Sequence, residues 1–227
     1  MRVHEQGVAR MSIDELLDEW RKTYPESSQS EFHKDGIVDE ETFANQRARV
    51  LFVLAEPNSK NGRYDKYCGE DLRRVFGQVG LGKPVDLNMA RWTSVVLDQK
   101  QQFFTPSREE AKMELRKVAI MNMKKLAGSG HANVEAISLH AWRDRVYICR
   151  EVDLIRPTII FTCGETASRL FRWVMKNDEL GVAAAEDMWQ WGGATVLPVN
   201  HPSLRPKDAE AAFERVVALV KEHVRDT

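Results

Sequence analysis

The stretch "RVLFVLAEPN" (Arg49–Asn58) contains an uninterrupted apolar run, Val50–Ala55, that has the length of one strand. A run without polar alternation is typical of a strand that is covered on both faces, as in a parallel sheet. It ends at a carboxylate, Glu56, directly before a proline. A second apolar stretch, "TVLPVNHPSLRP" (Thr195–Pro206), also ends in polar side chains set against prolines. Both patterns predict buried strands that deliver polar groups to their carboxyl ends.

Four apolar runs of strand length alternate with segments of helical periodicity. The runs are Val50–Ala55, Val118–Met123, Thr158–Gly164 and Ala194–Asn200. The helical segments are Ser12–Trp20, Asp71–Phe76, Ser107–Lys117, Asn133–Ile155, Glu165–Met175 and Lys207–Val224. This alternation predicts a three-layer α/β/α sandwich with a central, mainly parallel four-stranded sheet. We expect a single domain over residues 1–227, with residues 1–45 as an N-terminal helix and arm packed on it.

Composition narrows the class of protein. The chain has 227 residues, of which 43% are hydrophobic and 30% charged, and a net charge of −1, so any contact with nucleic acid has to use a local patch. Its three cysteines form no CxxC pair and give no support to a structural zinc or iron–sulfur site. There is no apolar export segment and no run of membrane-spanning length. We expect a cytoplasmic monomer without metal, cofactor or membrane partner.

Polar side chains follow all four predicted strands. Glu56 follows the first strand. The second contains Asn122 and is followed by Lys124 and Lys125. Cys163-Gly164-Glu165 closes the third, and Asn200-His201-Pro202-Ser203 closes the fourth. Ligands of parallel sheets bind beyond these carboxyl ends. Each residue alone has an ordinary structural interpretation, and Lys124 with Lys125 is expected to be a solvated strand end. Their joint placement favours a functional site, because buried polar groups cost free energy unless they are paired.

Two motifs, in this order, resemble those of the uracil-DNA glycosylase superfamily. "LAEPN" stands where members show GQDPYH, GINPG or GEAPG, and "NHPSLRP" stands where they show HPSPLS. Three further segments are similar to elements of the superfamily: "YCGEDL" to the segment whose aromatic ring stacks on the flipped base, "AIMNMKK" to the strand whose asparagine reads the base edge, and "TIIFTCGETA" to the strand that ends in glycine. The resemblance extends from about Arg49 to the C-terminal helix.

The resemblance implies a DNA glycosylase that acts on a base extruded from the duplex. Glu56 and His201 are then the catalytic residues: the carboxylate positions or deprotonates the attacking water, and the histidine stabilises charge on the pyrimidine O2. Tyr67 stacks on the base, Asn122 reads its edge, and Asn58 stands at its C5 side.

The resemblance also implies contacts with the DNA backbone and duplex. Pro57, Pro202 and Ser203 grip phosphates. Leu204, beside Arg205, is the apolar wedge that fills the gap left by the flipped base. Lys124 is a further expected DNA contact. The partner is DNA that contains a damaged or modified base.

Three positions depart from the motifs. Leu54 replaces the opening glycine, Glu56 stands where the best-known members have aspartate, and Asn58 replaces the tyrosine that closes the pocket at C5. A pocket open at C5 admits an alternative: a defence glycosylase for bulky 5-modified cytosine in phage DNA, such as glucosylated hydroxymethylcytosine. The aromatic stretch Gly77–Pro106 is then expected to recognise the substituent.

A second alternative belongs to a different class, a non-catalytic nucleic-acid-binding module. A serine or cysteine hydrolase is disfavoured, because neither Ser203 nor Cys163 lies in a GxSxG-type nucleophile elbow.

Overall fold

The computed structural model describes residues 11–57, 69–80, 83–128, 133–176 and 187–224. The helices are α1 (Ile13–Lys22), α2 (Glu26–Gln29), α3 (Glu40–Ala44), α4 (Leu72–Arg74), α5 (Pro84–Leu97), α6 (Arg108–Leu115), α7 (Val134–Arg143), α8 (Arg145–Ile155), α9 (Glu165–Lys176) and α10 (Pro206–His223), and a π-helical turn, Val75–Val79, follows α4. The strands are β1 (Gly36–Ile37), β2 (Val50–Leu54), β3 (Ala119–Asn122), β4 (Ile159–Cys163), β5 (Trp189–Trp191) and β6 (Ala194–Val199).

These strands form one sheet in the order β1-β3-β2-β4-β6-β5. The four central strands are parallel, with Leu51 beside both Ala119 and Ile160, and Phe161 beside Leu197. The predicted fold class is confirmed. Two antiparallel edge strands, β1 and β5, extend the predicted four-stranded sheet. They were not predicted because runs of two and three residues carry no recognisable periodicity.

The connections that follow the neighbouring strands β2 and β4 run in opposite directions along the sheet. From β2 the chain crosses to β3 on one side, and from β4 it continues to β5 and β6 on the other side. Connections that diverge in this way open a crevice at the carboxyl ends of the two strands. The end of β2, which carries Glu56, therefore lies at the position where an α/β sheet most readily binds a ligand.

Alternate residues of β2 face two separate hydrophobic cores. Leu51 and Val53 pack in the core formed with α1, α7, α8 and α9. Phe52 and Leu54 pack in the core formed with α5, α6 and α10. Helices therefore cover both faces of the sheet, which explains why the central strands are continuous apolar runs.

The predicted helix Asn133–Ile155 is wrong in one respect, because it is two helices that meet at Asp144. This residue leaves helical geometry, with φ −96° and ψ 6°. Its nearly buried carboxylate accepts hydrogen bonds from the Tyr24 hydroxyl and the Arg143 guanidinium. Sequence periodicity alone does not reveal such a break, since the apolar pattern continues across it.

The stretch Gly77–Pro106, which the sequence left unassigned, contains the buried helix α5. Trp92 has no exposed surface and lies against Phe52 and Phe161 of the central strands. Within the described ranges, no helix combines the length and apolar character that crossing a membrane requires.

Candidate active site

Glu56 and Lys124 leave adjacent strands side by side. The hydrogen bonds between β2 and β3 continue past the strand ends, from Met123 N–H to Leu54 O at 2.9 Å and from Lys124 N–H to Ala55 O at 3.0 Å. Lys124 Nζ lies 2.6 Å from Glu56 Oε2, and each side chain is only 10% exposed. A charge-assisted hydrogen bond at this distance fixes the carboxylate in one orientation.

Gly128 lies against the carboxylate of Glu56. Its N–H donates to Pro57 O at 2.7 Å, which ties the segment after β3 to the segment after β2. A Cβ atom at position 128 would overlap the Glu56 carboxyl group. The close approach of backbone and carboxylate therefore requires glycine at this position.

Asn122, at the end of β3, is 1% exposed and is held by Asp35. Asp35 Oδ2 accepts from the Asn122 backbone N–H at 2.7 Å and from Nδ2 at 3.2 Å. A carboxylate only accepts hydrogen bonds, so the amide turns its nitrogen toward Asp35. Asn122 Oδ1 is buried and has no partner among the described residues. An unsatisfied buried acceptor in a native protein is available to a ligand N–H.

Beneath Asn122 lies a fully buried ionic network. Lys125 Nζ donates to Asp35 Oδ1 and, at 2.7 Å, to Glu151 Oε2, and all three side chains have no exposed surface. Burial by itself would lower the pKa of Lys125, but the two carboxylates that face its ammonium group raise it. Burial and the neighbouring charge of Asp35 raise the pKa of Glu151 to about 8. The expectation that Lys124 and Lys125 form a solvated strand end is therefore wrong.

His201 follows β6 on the exposed side of the same edge. Its Nδ1 accepts a hydrogen bond from the Ser203 backbone N–H at 3.2 Å and lies 2.7 Å from Ser203 Oγ. Because Nδ1 is an acceptor, the neutral ring carries its proton on Nε2. This arrangement leaves Nε2–H as a donor for a ligand.

The backbone of β4 makes room for the histidine. Gly164, with φ +86°, donates its N–H to Val199 O at 2.8 Å, and a Cβ atom there would lie 3.3 Å from His201 Cβ. His201 remains exposed on its outer side, but desolvation by the surrounding chain lowers its pKa. The imidazole is therefore neutral at neutral pH.

The remaining predicted contacts lie in the segment between β6 and α10. Pro202 is buried, Ser203 and Arg205 are exposed, and Leu204 is half-buried against the core beside α10. Pro57 is buried at the end of β2. The exposed members are accessible to a large ligand.

Two predicted base-binding residues, Asn58 and Tyr67, lie outside the described residues. The described chain resumes at Gly69, whose N–H donates to His33 Nε2 at 3.4 Å, and His33 Nδ1 lies 3.2 Å from Glu70 O. His33 is fully buried. It anchors the chain at Gly69, two positions after the predicted stacking residue.

The aromatic side chains of Gly77–Pro106 are used within the protein. Phe103 and Phe104 pack edge-on against Phe213 of α10, at 5.8 Å and 6.4 Å between ring centroids. With Trp92 fully buried as well, the hypothesis that this stretch recognises a base substituent has no support.

Sequence reasoning missed several residues that hold the site together. The members are Asp35, Gly128 and Glu151. Asp35 lies in a polar arm without periodicity and contacts a residue 87 positions later, so no local signal could have found it. In the described part of the chain, no group of three or more His, Cys, Asp and Glu side chains is placed to hold a metal ion.

Comparisons with known proteins add little to this description. No family model matches the sequence, and no curated protein matches it either. Among solved structures, a crystal structure of a UNG mutant from Nitratifractor salsuginis is similar over 80% of this chain and 76% of that chain, with 16% sequence identity and a TM-score of 0.35. At these values the likeness carries no argument about activity.

Proposed function

We propose that this chain is a monofunctional DNA glycosylase, which hydrolyses the N-glycosidic bond of a flipped-out uracil or modified pyrimidine and leaves an abasic site. The observation that carries the proposal is the state of His201, whose Nδ1 accepts from Ser203 and whose Nε2 keeps the proton. This donor lies on the same edge of the sheet as the ion-paired carboxylate of Glu56. The motif resemblance supports the same activity.

In the proposed reaction, the C1′–N1 bond breaks and its electron pair leaves with the base. Negative charge then builds on the pyrimidine O2, while the sugar becomes cationic. His201 Nε2–H donates a hydrogen bond to that oxygen. A neutral imidazole suits this task because it is a donor that need not give up its proton, and preorganised donors of this kind stabilise transition states strongly.

Glu56 acts on the sugar side of the same bond. Its negative charge favours the cationic sugar, and it holds the water whose oxygen forms the new bond to C1′ and whose proton it accepts. Among the described residues, Lys124 is the hydrogen-bond partner of this carboxylate and uses Oε2. Oε1 is therefore the oxygen that receives the water, and Lys124 keeps it in place.

Asn122 reads the edge of the base. Its Nδ2 is held by Asp35, and its Oδ1 has no partner among the described residues. This oxygen accepts the N3–H of uracil, which unmodified cytosine lacks. Tyr67 supplies the stacking face, and Asn58 lines the C5 side, so a 5-substituent is tolerated.

Six further residues contact the DNA. Pro202 and Ser203 contact a phosphate, and Leu204 enters the gap that the flipped base leaves in the stack. Arg205 pairs with a phosphate of the opposite DNA strand. Pro57 and Lys124 approach the phosphate of the flipped nucleotide from β2 and β3.

The proposal is tested by incubating the protein with matched oligonucleotides and cleaving any abasic sites with alkali. The substrates contain uracil, hypoxanthine or xanthine, and in a second set 5-hydroxymethylcytosine, free or glucosylated. We expect excision of uracil. Glu56→Gln and His201→Ala should each slow excision by about 100-fold or more. Glu165→Gln is the matched control, since Glu165 is an exposed carboxylate that follows the neighbouring strand β4.

Each outcome has a distinct meaning. Excision of the modified cytosines alone would replace uracil with the defence substrate. No excision of any base, with DNA binding intact in the wild type and both variants, would make the chain a binding module and overturn the proposal. Equal loss of activity in Glu165→Gln and Glu56→Gln would remove the catalytic role from Glu56.

A further inference from the structure

Helix α5 holds the backbone of the segment between β6 and α10, residues 200–205, which is called the His201 loop below. Pro202 is buried, and its carbonyl oxygen accepts a hydrogen bond from Asn88 Nδ2 at 2.7 Å. Asn88 is 1% exposed. A buried carbonyl needs a donor, and here the donor comes from a residue 114 positions earlier in the chain.

Asn88 is in turn oriented by Arg91, one turn later on α5. Arg91 donates from one terminal nitrogen to Asn88 Oδ1 at 2.6 Å and from Nε to Phe104 O at 2.6 Å. A guanidinium group only donates, so the Asn88 oxygen faces Arg91 and its nitrogen faces Pro202. The amide therefore has one orientation, and it is the orientation that the loop requires.

Arg91 is an unusual residue for the inside of a protein. It is 6% exposed, its guanidinium lies 4.7 Å from the centre of the Phe103 ring, and burial lowers its pKa. In the described part of the chain, no carboxylate forms an ion pair with it. A buried charge without a counter-charge is costly, and hydrogen bonds to Asn88 and Phe104 are what offset that cost here.

We propose that Asn88 and Arg91 are positioning residues for His201. They fix the Pro202 peptide, and the next residue, Ser203, then presents its N–H to His201 Nδ1 and so sets the Nε2–H form of the ring. The loop is already held at its ends by β6 and α10, and Asn88 holds its middle. This inference rests on the proposed function for its kinetic consequence, but not for its structural one.

The variant that separates the two contacts of Asn88 is Asn88→Asp. An aspartate keeps an acceptor for Arg91, but it replaces the donor to Pro202 O with an oxygen, so the peptide has to turn away. The matched control is Thr93→Val in the same helix. Thr93 is also fully buried and donates to a backbone carbonyl, Met89 O at 2.9 Å, with no link to the loop.

The first measurement is the single-turnover excision rate of each variant with uracil-containing DNA. We expect Asn88→Asp to lower this rate by about 100-fold, since a small displacement of a catalytic group has an effect of that size. Thr93→Val should leave the rate unchanged. An unchanged rate in Asn88→Asp, with an active wild type, would overturn the proposal. So would an equal loss in both variants, since that would mark a general disturbance of α5.

The second measurement is the ¹⁵N NMR spectrum of the His201 ring as a function of pH, which does not depend on activity. In the wild type we expect the Nε2–H form and a pKa below the ordinary value of histidine. In Asn88→Asp both nitrogens should move toward the average of exchanging tautomers, and the pKa should rise. If the wild type excises no base, the proposed function fails while this measurement still decides the positioning role. Unchanged His201 resonances in Asn88→Asp would overturn that role.

Discussion

The two candidate catalytic groups are held in opposite ways at the two sides of one sheet edge. On the β2–β3 side, Glu56 is 10% exposed and ion-paired, above a network of charges with no exposed surface. On the β6 side, His201 and Ser203 are exposed, and the backbone of their loop is fixed instead. The Glu56 carboxylate is thus positioned by an ion pair with Lys124, whereas His201 is positioned by hydrogen bonds that involve main-chain groups. The first arrangement couples function to stability, and the second largely separates them.

The largest effect is expected on the buried side, from Lys125→Met. Without the ammonium, the Asp35 carboxylate remains buried without a counter-charge and Glu151 loses its hydrogen-bond donor. Such losses cost about 3–5 kcal/mol of the free energy of unfolding. Lys112→Met is the matched control, because Lys112 pairs with the largely exposed carboxylate of Glu109 and its loss should cost less than about 1 kcal/mol. Urea denaturation of both variants measures the difference. Similar losses of unfolding free energy in the two variants would show that a fully buried ion pair is no more important for stability than an exposed one.

A smaller effect on the same side concerns the pH dependence of stability. The pKa of Glu151 is about 8 in the folded protein against an ordinary value of 4.5, so the folded state binds a proton that the unfolded chain releases. Its contribution to stability is complete below about pH 4.5 and is lost as the pH rises through about 8. Glu151→Gln mimics the protonated form and should flatten the stability profile by a few kcal/mol across this range.

The control for this profile is Glu19→Gln, which removes an exposed carboxylate paired with Arg150. Its profile should follow that of the wild type. A Glu151→Gln profile that still declines between pH 4.5 and 8 would assign the titration to another group.

Gly128→Ala tests whether the close packing of Glu56 on the β2–β3 side matters for catalysis. The added methyl group overlaps the Glu56 carboxylate, so we expect a loss of about 1–3 kcal/mol in stability and a clear fall in excision. Gly192→Ala is a useful comparison. Gly192 has φ +54° and nothing within 4 Å of an added Cβ, so it should cost stability through the backbone alone and leave excision unchanged. Equal activity in the two variants would contradict the close packing of Glu56.

The smallest effect is expected on the exposed side, from Ser203→Ala. The hydroxyl is lost, but the backbone N–H still donates to His201 Nδ1. Stability should change by less than about 0.5 kcal/mol, and excision should fall by no more than about tenfold. Thermal unfolding and a single-turnover assay check the two values. A large loss of stability would show that the two sides are not as different as described.

The central part of the fold was predictable from the sequence because its signals are local. Val50–Leu54 and Ile159–Cys163 are continuous apolar runs, and burial on both faces of a sheet leaves no other pattern. The capping box of Ser12 and Glu15 likewise marks the start of α1 within four residues. The polar residues at the strand ends were predictable for the same reason, since each follows directly from its strand.

The supports of those residues could not be predicted. Asp35 reaches Asn122 across 87 positions, and Asn88 reaches Pro202 across 114. Arg91 lies in an aromatic stretch without periodicity, whose composition is that of a binding loop. One of its acceptors is a backbone carbonyl, Phe104 O, and a backbone acceptor cannot be recognised from the sequence. A sequence pattern thus identifies side chains that a single strand places at its end. It misses contacts between residues that are far apart in the chain.

The Asp35–Lys125–Glu151 network also orders events during synthesis. A ribosome that adds about 5–20 residues per second releases Lys125, the counter-charge of Asp35, on the order of 10 s after Asp35 itself. Until then the N-terminal arm has no counter-charge to dock against, and β1 has no neighbour, since its partner β3 begins at Ala119. The nascent arm therefore stays in water until β3 and Lys125 have been made. The contacts that hold Asn122 are completed only when Asp35 meets a segment that is made 87 residues later.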